Sequence, residues 1–521
     1  MAALDGGMME SELKLHVSAG KASQILHAPA ISRLLRDSST THELTSTYFD
    51  TPDLHLHRNG ASLRVRADGA ERSQTLKLDG TVAAGFFERD EFESPVSGDS
   101  PDLERLQRLI PARKKGRKLL KNEELASQLQ PLFVTRVKRS TAVLRLPRDA
   151  EVELAVDDGV IEAQAGSTAI HGVEMELKTG APEQLYELAL SLLDDIPLRI
   201  DYMSKGDRGY ELLVQEHRTP VRANPLKLKK RYTIEEAFQH IAKNCLAQVH
   251  GNERGVVSGH DPSSVHQMRV GLRRLRSALN LFANVITVPA QFDSELRWIA
   301  GELGGARDWE VLAGPTLDQA FDSVEGGEDA NATRQAAKER AVQNRKTAAA
   351  AVDSVRYTRL VLKLTLWIET MGWRNGQADD ERKRCEKRVG KFAKATLTAR
   401  HKKLLKRGRG LAELDDEARH RARIAAKKVR YATEFFASLF PRRSVQSYVS
   451  ALSELQDDLG WRNDIVVADE LLKSLATTTP ETASGAGFAR GYFASRVAQD
   501  HDSMKILWNR FKRLPPPSSH C

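Results

Sequence analysis

The sequence predicts an α+β chain, a β-rich half closed on itself followed by an all-helical half, and three observations predict it. Up to Val214 the chain runs in short alternating segments broken by Gly, Pro, Asp and Asn, whereas from about Thr233 apolar residues recur three and four apart over long stretches. Charge divides at the same place: residues 1–215 carry 27 Lys and Arg against 34 Asp and Glu, and the rest of the chain 52 against 36. The helical half also repeats a phrase after 154 residues.

Taken in order, the strand signals are "ELKLHV", "ASLRVRA", "QTLKLDG", "FFERDEFE", "TAVLRL", "EVELAVDDG" and "HGVEMELKTG". Helical interruptions are expected at 20–36, at about 101–129 and in "APEQLYELALSLLDDI", where Pro182 opens a helix. "EHRTPVRANPLKLKKR" reads as a linker, so the expected domains are 8–215, a linker at 216–232, a helical domain at 233–512 and a disordered tail at 513–521. "SVEGGEDANATRQAAKERAVQNRKTAAAAVDS" reads as a mobile loop running into a helix.

At 521 residues the chain is expected to hold two to four domains. Cys245, Cys385 and Cys521 lie far apart without C-x-x-C spacing, which argues against a disulfide framework or zinc site. With neither a secretory signal nor a membrane-spanning run, a cytoplasmic protein without a membrane partner is expected. The basic half points to a polyanion. An aromatic content of 6% counts against single-stranded nucleic acid, which needs stacking platforms.

The repeat sharpens this. His266, Arg269, Arg273 and Arg276 recur as His420, Arg423, Lys427 and Arg430, and "ELGGARDWEVL" answers "DLGWRNDIVVA" some 30 residues after each copy. These offsets set the four basic side chains within roughly an 80° arc of a helix, beside an apolar stripe of Met268, Leu272, Leu275 and Leu279. Copies packed about a pseudo-twofold axis would merge their stripes into one cationic surface. Asp308 and Asp464 are expected to pin neighbouring bases or cap a helix. "VHQMRVGLRRLRSAL" with "LGGARD" resembles the CHAD family over roughly 230–512. The resemblance implies two helical bundles, related by the pseudo-twofold, whose eight repeated residues bind inorganic polyphosphate without catalysis. Polyphosphate granules are where such a module would gather.

The first half places charges of both signs at alternate positions: Glu10, Glu12 and Lys14; Arg64 and Arg66; Glu151, Glu153 and Asp157; Glu174, Glu176 and Lys178. Lys77 stands alone in "TLKLDG" and Arg139 opens "RSTAVLRL". A sheet closed into a cylinder turns such faces inward, leaving the apolar parity outside to pack on helices. Charges so enclosed must be paired or must hold a metal and a polyanion. Paired acids suit hard divalent cations such as Mg²⁺, and Arg and Lys suit phosphate oxygens.

With E-x-E-x-K at Glu10, Glu12 and Lys14, R-x-R, the lone Lys, a late E-x-E and "SKGDRGY", residues 8–214 resemble the CYTH family, the triphosphate tunnel metalloenzymes. The resemblance implies an eight-stranded antiparallel tunnel-like β-barrel with flanking helices. Glu10, Glu12 and Glu176 would hold Mg²⁺ or Mn²⁺, with Glu174 and Asp157 near a second ion or its water. Lys14, Arg64, Arg66, Lys77, Arg139 and Lys205 would clamp phosphates, and Glu91 would orient one of these bases. Glu10, Glu12, Lys14, Glu174 and Lys205 form the implied catalytic set. Two positions stay open: Arg136 competes with Arg139, and Asp158 with Asp157, although alternation favours Arg139 and Asp157. The implied activity is metal-dependent hydrolysis of inorganic triphosphate, in a protein tethered to polyphosphate. The alternatives are a thiamine or nucleoside triphosphatase, an adenylate cyclase of the CyaB type, and a non-catalytic polyphosphate scaffold.

Overall fold

The computed structural model describes residues 6–121, 124–214, 219–259, 261–322, 327–499 and 502–518. The chain forms two compact units, Met1–Arg218 with Ser354–Leu366, and Thr219–Asp353 with Trp367–Cys521.

The first unit is built on strands β1 (Gly6–Val17), β2 (Thr40–Asp50), β3 (Ala61–Asp68), β4 (Glu71–Leu78), β5 (Thr81–Ala83), β6 (Phe86–Pro95), β7 (Gln130–Leu146), β8 (Ala150–Ala163), β9 (Gly166–Thr179) and β10 (Leu198–Ile200). Eight of them close a ring in the order β1-β9-β8-β7-β2-β3-β4-β6, with β6 returning to β1 and β5 and β10 appended. All the ring's pairings are antiparallel. The expected barrel is therefore present.

Alternation decides what faces inward. On β3, Ala61, Leu63 and Val65 join an outer core with Leu76, Leu78, Phe92, Leu106, Ile110, Leu119 and Leu125, supplied in part by the short helices Leu103–Leu109, Lys115–Leu119 and Leu125–Gln128. Ser62, Arg64 and Arg66, on the other parity, face the lumen. β1 behaves likewise: Leu13, Leu15 and Val17 are buried outside the ring, and Glu10, Glu12 and Lys14 point in. Helix α1 (Glu183–Asp195) lies near β1 and buries Leu185, Leu188 and Leu192.

Two strands differ from expectation. β2, "TTHELTSTYFD", alternates hydroxyls with a few apolar residues instead of showing a hydrophobic face. β7 begins at Gln130, well before the "TAVLRL" run. The region 20–36 forms only short helical turns, Ala22–His27 and Pro29–Ser32. Helix α2 (Lys205–Leu213) completes this part of the unit.

The second unit is helical: α3 (Ile234–Val257), α4 (Pro262–Phe282), α5 (Ala290–Val311), α6 (Glu328–Val352), part of α7 (Val355–Glu369), α8 (Val389–Arg407), α9 (Asp416–Phe436), α10 (Arg442–Thr478), α11 (Ala483–Gln499) and α12 (Asp502–Phe511). Most of α7 falls in the first unit, although the sequence pattern places it with the other helices.

One core joins α5, α6, α10 and α11 through Trp309, Ala337, Leu472 and Phe493. Another joins α8, α9, α10 and α12 through Leu404, Val429, Leu455 and Trp508. The 37-residue α10, about 55 Å long at 1.5 Å per residue, serves both. Thr233 opens α3 with a capping box to Glu236, and side chains of Asp261 and Asp415 cap α4 and α9. Of the expected linker, residues 215–218 lie outside the described residues, and Val221 is tied to Asn252 of α3 by N–H and C=O bonds of 3.0 and 2.8 Å. At the other end Leu514 packs against the second core, and residues 519–521 lie outside the described residues.

Candidate active site

The barrel encloses a cavity of about 530 Å³ lined by seven carboxylates and eight cationic side chains. Glu10, Glu12, Lys14, Arg64, Arg66, Lys77, Arg139, Glu174, Glu176 and Lys205 all line it. Most carboxylates stand on the β1-β9-β8 wall, where Glu12 is in register with Glu176 and Glu176 with Glu153. Arg64, Arg66 and Lys77 come from β3 and β4.

Most of these acids are held by cations. Lys77 Nζ donates to Glu10 at 2.8 Å and reaches Glu91 at 2.9 Å, which is the orienting contact expected of Glu91. Lys14 Nζ donates to Glu12 at 2.8 Å and to Glu174 at 2.5 Å. Burial works against the charge on Lys14, but Glu12 and Glu174 outweigh it and hold the ammonium above its ordinary range. Burial likewise opposes ionisation of Glu10 and Glu174, and their cationic neighbours hold both carboxyls well below the ordinary range. Glu176 goes the other way: burial raises it, and Glu153 and Glu10 add to that against the opposing Lys178.

The arginine side is less compensated. Arg64 is buried and Arg66 half-buried, and the Nε atoms of both have no hydrogen-bond partner among the described residues. Burial, then Arg64 and Arg139, push the Arg66 guanidinium down to about 10. Tyr48 lines the same space, and Arg64 and Lys205 outweigh the effect of burial to lower its phenol.

The two open positions separate cleanly. Arg139 points inward, whereas Arg136 is exposed and pairs with Glu162 at 3.0 Å. Asp157 is fully buried, with its oxygens on the lining residues Arg139 and Lys205, whereas Asp158 is exposed beside His171.

"SKGDRGY" becomes intelligible as a device for aiming Lys205. Ser204 caps α2, accepting from the Asp207 N–H at 3.1 Å, while Asp207 accepts from the Ser204 N–H at 2.8 Å. Lys205, at the first helical position, reaches Asp157 at 2.6 Å and Glu174 at 2.8 Å. Gly209 lets the helix approach Phe133, whose ring would lie 2.0 Å from a Cβ placed there. Tyr210 donates to the buried Asp50 at 3.1 Å.

Sequence reasoning missed Arg89 and Glu93 as lining residues and missed Tyr48 altogether, whereas Glu153 and Lys178, which alternation turned inward, do line the cavity.

In the helical unit the repeated residues are only partly brought together. Arg269 pairs with Asp308 at 3.1 Å, and its counterpart Arg423 pairs with Asp464 at 3.9 Å, the pinning expected of the two aspartates. Arg273 donates to Tyr431 on α9 at 2.7 Å, which ties the copies together. Burial first, then Arg307, Arg273, Arg269 and Arg222, push His266 down to about 4. Burial, Arg423 and Arg273 push Lys427 down to about 7 against the opposing Asp464. His266, Arg269, Arg273, Arg307, Arg423 and Lys427 therefore share one cationic field. Three repeated residues have other partners. Arg276 lies 4.0 Å from Asp293, Arg430 pairs with Glu434 one turn on, and His420 meets Asn463 at 3.1 Å.

A closed ring with a charged lumen, followed by helices carrying a duplicated basic motif, agrees with two family matches: residues 8–210 match the CYTH domain and residues 240–473 the CHAD domain. The chain unites a CYTH domain with a CHAD domain. The CYTH part is similar to an inorganic triphosphatase of Haemophilus influenzae, 30% identical over 207 residues, 39% of this chain and 55% of that protein. The match thus spans about half the length of that relative. An uncharacterized protein of Mycobacterium tuberculosis is 24% identical over 82% of this chain and 83% of its own. The CHAD part is similar to the crystal structure of the CHAD domain from the plant Ricinus communis, at 36% identity and TM-score 0.53, covering 58% of this chain and 99% of that one. Among the described residues no helix is long and apolar enough to cross a membrane.

CYTH triphosphate tunnel enzymes are metal-dependent, and the donor set here fits such an ion. Glu10, Glu12, Glu153 and Glu176 offer hard carboxylate oxygens on one wall. These acids turn to Lys and Arg partners, and among the described residues no three His, Cys, Asp or Glu side chains form a ready metal cluster.

Proposed function

We propose that the CYTH barrel hydrolyses inorganic triphosphate to pyrophosphate and phosphate with Mg²⁺ or Mn²⁺, and that the CHAD helices bind inorganic polyphosphate. The observation that carries the first part is Arg64 and Arg66, enclosed with unpartnered Nε atoms opposite a carboxylate wall. Such guanidinium groups call for an anion with several oxygens, small enough for about 530 Å³.

Glu10, Glu12 and Glu176 would hold the divalent ion, which when bound neutralises phosphate oxygens and makes water more acidic. Arg64, Arg66, Lys77 and Arg139 bind the phosphate chain, and Lys14 and Lys205 stabilise charge moving onto the leaving group. Glu174, kept ionised by three cations, orients the attacking water. Asp157 serves behind them as the counterion that positions Arg139 and Lys205. Hydrolysis of one anhydride bond consumes one water and needs no covalent intermediate.

A second reading, an organic triphosphate such as a thiamine or nucleoside ester, is favoured by a neighbouring cavity of about 370 Å³. It shares Ser62, Lys77, Arg89 and Ser204 with the tunnel and adds Phe87, Tyr202, Asp79 and Asp207. The paired clusters around Arg269–Asp308 and Arg423–Asp464 support polyphosphate on the helices, since a ligand without bases offers charge alone to bind.

The deciding experiment incubates purified protein with inorganic triphosphate, thiamine triphosphate, ATP and long-chain polyphosphate, each with Mg²⁺, Mn²⁺ or EDTA, and measures phosphate release. Metal-dependent release greatest for inorganic triphosphate is expected. Release unaffected by EDTA, or none while polyphosphate is retained, overturns the enzymatic reading.

A further inference from the structure

We infer that Arg89 is a resident counter-cation, holding Glu10 and Glu12 together while no divalent ion is bound and surrendering them when one arrives. The inference rests on the reading that places the ion on those two glutamates.

Arg89 stands directly opposite Glu10 across β6 and β1. Its Nε donates to Glu10 Oε2 at 2.9 Å and its Nη2 to Glu12 Oε1 at 2.6 Å. Lys77 straddles Glu10, at 2.8 Å from Oε1 and 2.9 Å from Oε2, and Lys14 sits on Glu12 Oε2 at 2.8 Å. All four carboxylate oxygens therefore already carry a cationic donor. A hard divalent ion needs some of those lone pairs, and adding two charges to three cations around two carboxylates is strongly repulsive unless one cation leaves.

The three cations differ in what they can fall back on. Lys14 also holds Glu174, and Lys77 also holds Glu91. Arg89 bonds to Glu10 and Glu12 together, so its departure frees Glu12 Oε1 and leaves Glu10 to Lys77 alone. A planar guanidinium bridges two carboxylates in a way that a point ammonium does not. It also has room to move, because it lines both the tunnel and the neighbouring cavity. Its guanidinium carbon lies 5.5 Å from the Phe87 ring, a face that tolerates a displaced cation.

Two consequences follow. Ion binding without substrate is held down by the work of displacing Arg89. A phosphate chain in the tunnel receives the displaced guanidinium, so ion and phosphate reinforce each other's binding.

The test uses the full chain freed of metal with EDTA and titrated with Mn²⁺ in a calorimeter, with and without non-hydrolysable imidotriphosphate. Arg89→Gln should bind Mn²⁺ at least about fivefold tighter than the wild type in the absence of the phosphate chain, and should lose much of the phosphate-dependent gain. Arg136→Gln, which removes an equal charge outside the barrel, should match the wild type. Unchanged or weaker affinity in Arg89→Gln overturns the inference, as does equal tightening in Arg136→Gln. Should Arg89→Gln fail to fold, Arg89→Lys, able to reach one glutamate at a time, should bind Mn²⁺ more tightly than the wild type, and no change there overturns it equally. Glu12→Gln separates the two levels: if the wild type binds Mn²⁺ no better than Glu12→Gln, the ion does not sit on these glutamates and the reading of the site falls with the inference. If Glu12→Gln loses binding while the Arg89 variants leave it unchanged, only the inference falls.

Discussion

Arg139 and Asp157 face each other across β7 and β8 and share two parallel hydrogen bonds of 2.7 Å, Nε to Oδ1 and Nη2 to Oδ2. Burial would raise the Asp157 carboxyl, but Lys205 and Arg139 outweigh it and hold it below the ordinary range. A carboxyl lowered on folding lends stability above its unfolded value, near 4, and that stability is lost as pH falls further. Asp157→Asn leaves Arg139 and Lys205 buried with only Glu174 between them. It should cost about 3 kcal/mol at pH 7 in urea unfolding and should flatten the loss of stability below pH 4.

The cap on α2 gives a second pair of variants. Ser204→Ala removes the acceptor for the Asp207 N–H and should cost about 1 kcal/mol. Gly209→Ala drives a methyl into the Phe133 ring, which stacks on Tyr48 at a centroid distance of 4.5 Å. Overpacking of this kind costs roughly 1–3 kcal/mol and displaces a lining residue, so Gly209→Ala should lower thermal stability more than Ser204→Ala and should also reduce turnover.

How far the site could be read beforehand depended on how one-sided each strand is. On β3, on β1 from Met9 to Val17 and on β9 from Val173 to Thr179, every charge falls on one parity and every large apolar residue on the other, so a closed sheet was the economical reading. β6 defeats the same logic. In "FFERDEFE" the inward Arg89, Glu91 and Glu93 alternate with the outward Glu88 and Asp90, the latter held by Lys114 at 2.7 Å, so charges stand on both faces and alternation picks neither. β2 hid for a different reason, because its buried Asp50 is satisfied by bonds from Leu56, His57 and Tyr210 that no strand pattern shows. On the helices, offsets placed Arg430 in the basic stripe, but a glutamate four residues on claims it first.

The matched pairs Arg269–Asp308 and Arg423–Asp464 predict equal contributions from the two copies. If both arginines contact the polyanion, Arg269→Ala and Arg423→Ala should each lower the slope of log affinity for polyphosphate against log salt by about 1, as loss of one phosphate contact does for nucleic acids. The double variant should lower it by about 2. A slope unchanged in either single variant, measured by filter binding from low to high salt, would place that copy outside the binding surface.

Lys427 sets how that surface responds to pH. Its ammonium, pushed down to about 7, is surrounded by Arg423, Arg273 and Arg269, with Asp464 opposing them. In the unfolded chain a lysine titrates near 10.4, so the free fold loses stability as pH drops from there toward 7, with the full penalty present below. A bound polyanion reverses the sign of the field, restores the charge and takes up a proton, so affinity for polyphosphate should rise as pH falls from 8 to 6. His266, pushed down to about 4, stays neutral across that range in the free protein. Lys427→Met should therefore flatten the pH dependence, abolish proton uptake measured by calorimetry in buffers of different ionisation heat, and raise the melting temperature of the free protein near pH 6.5.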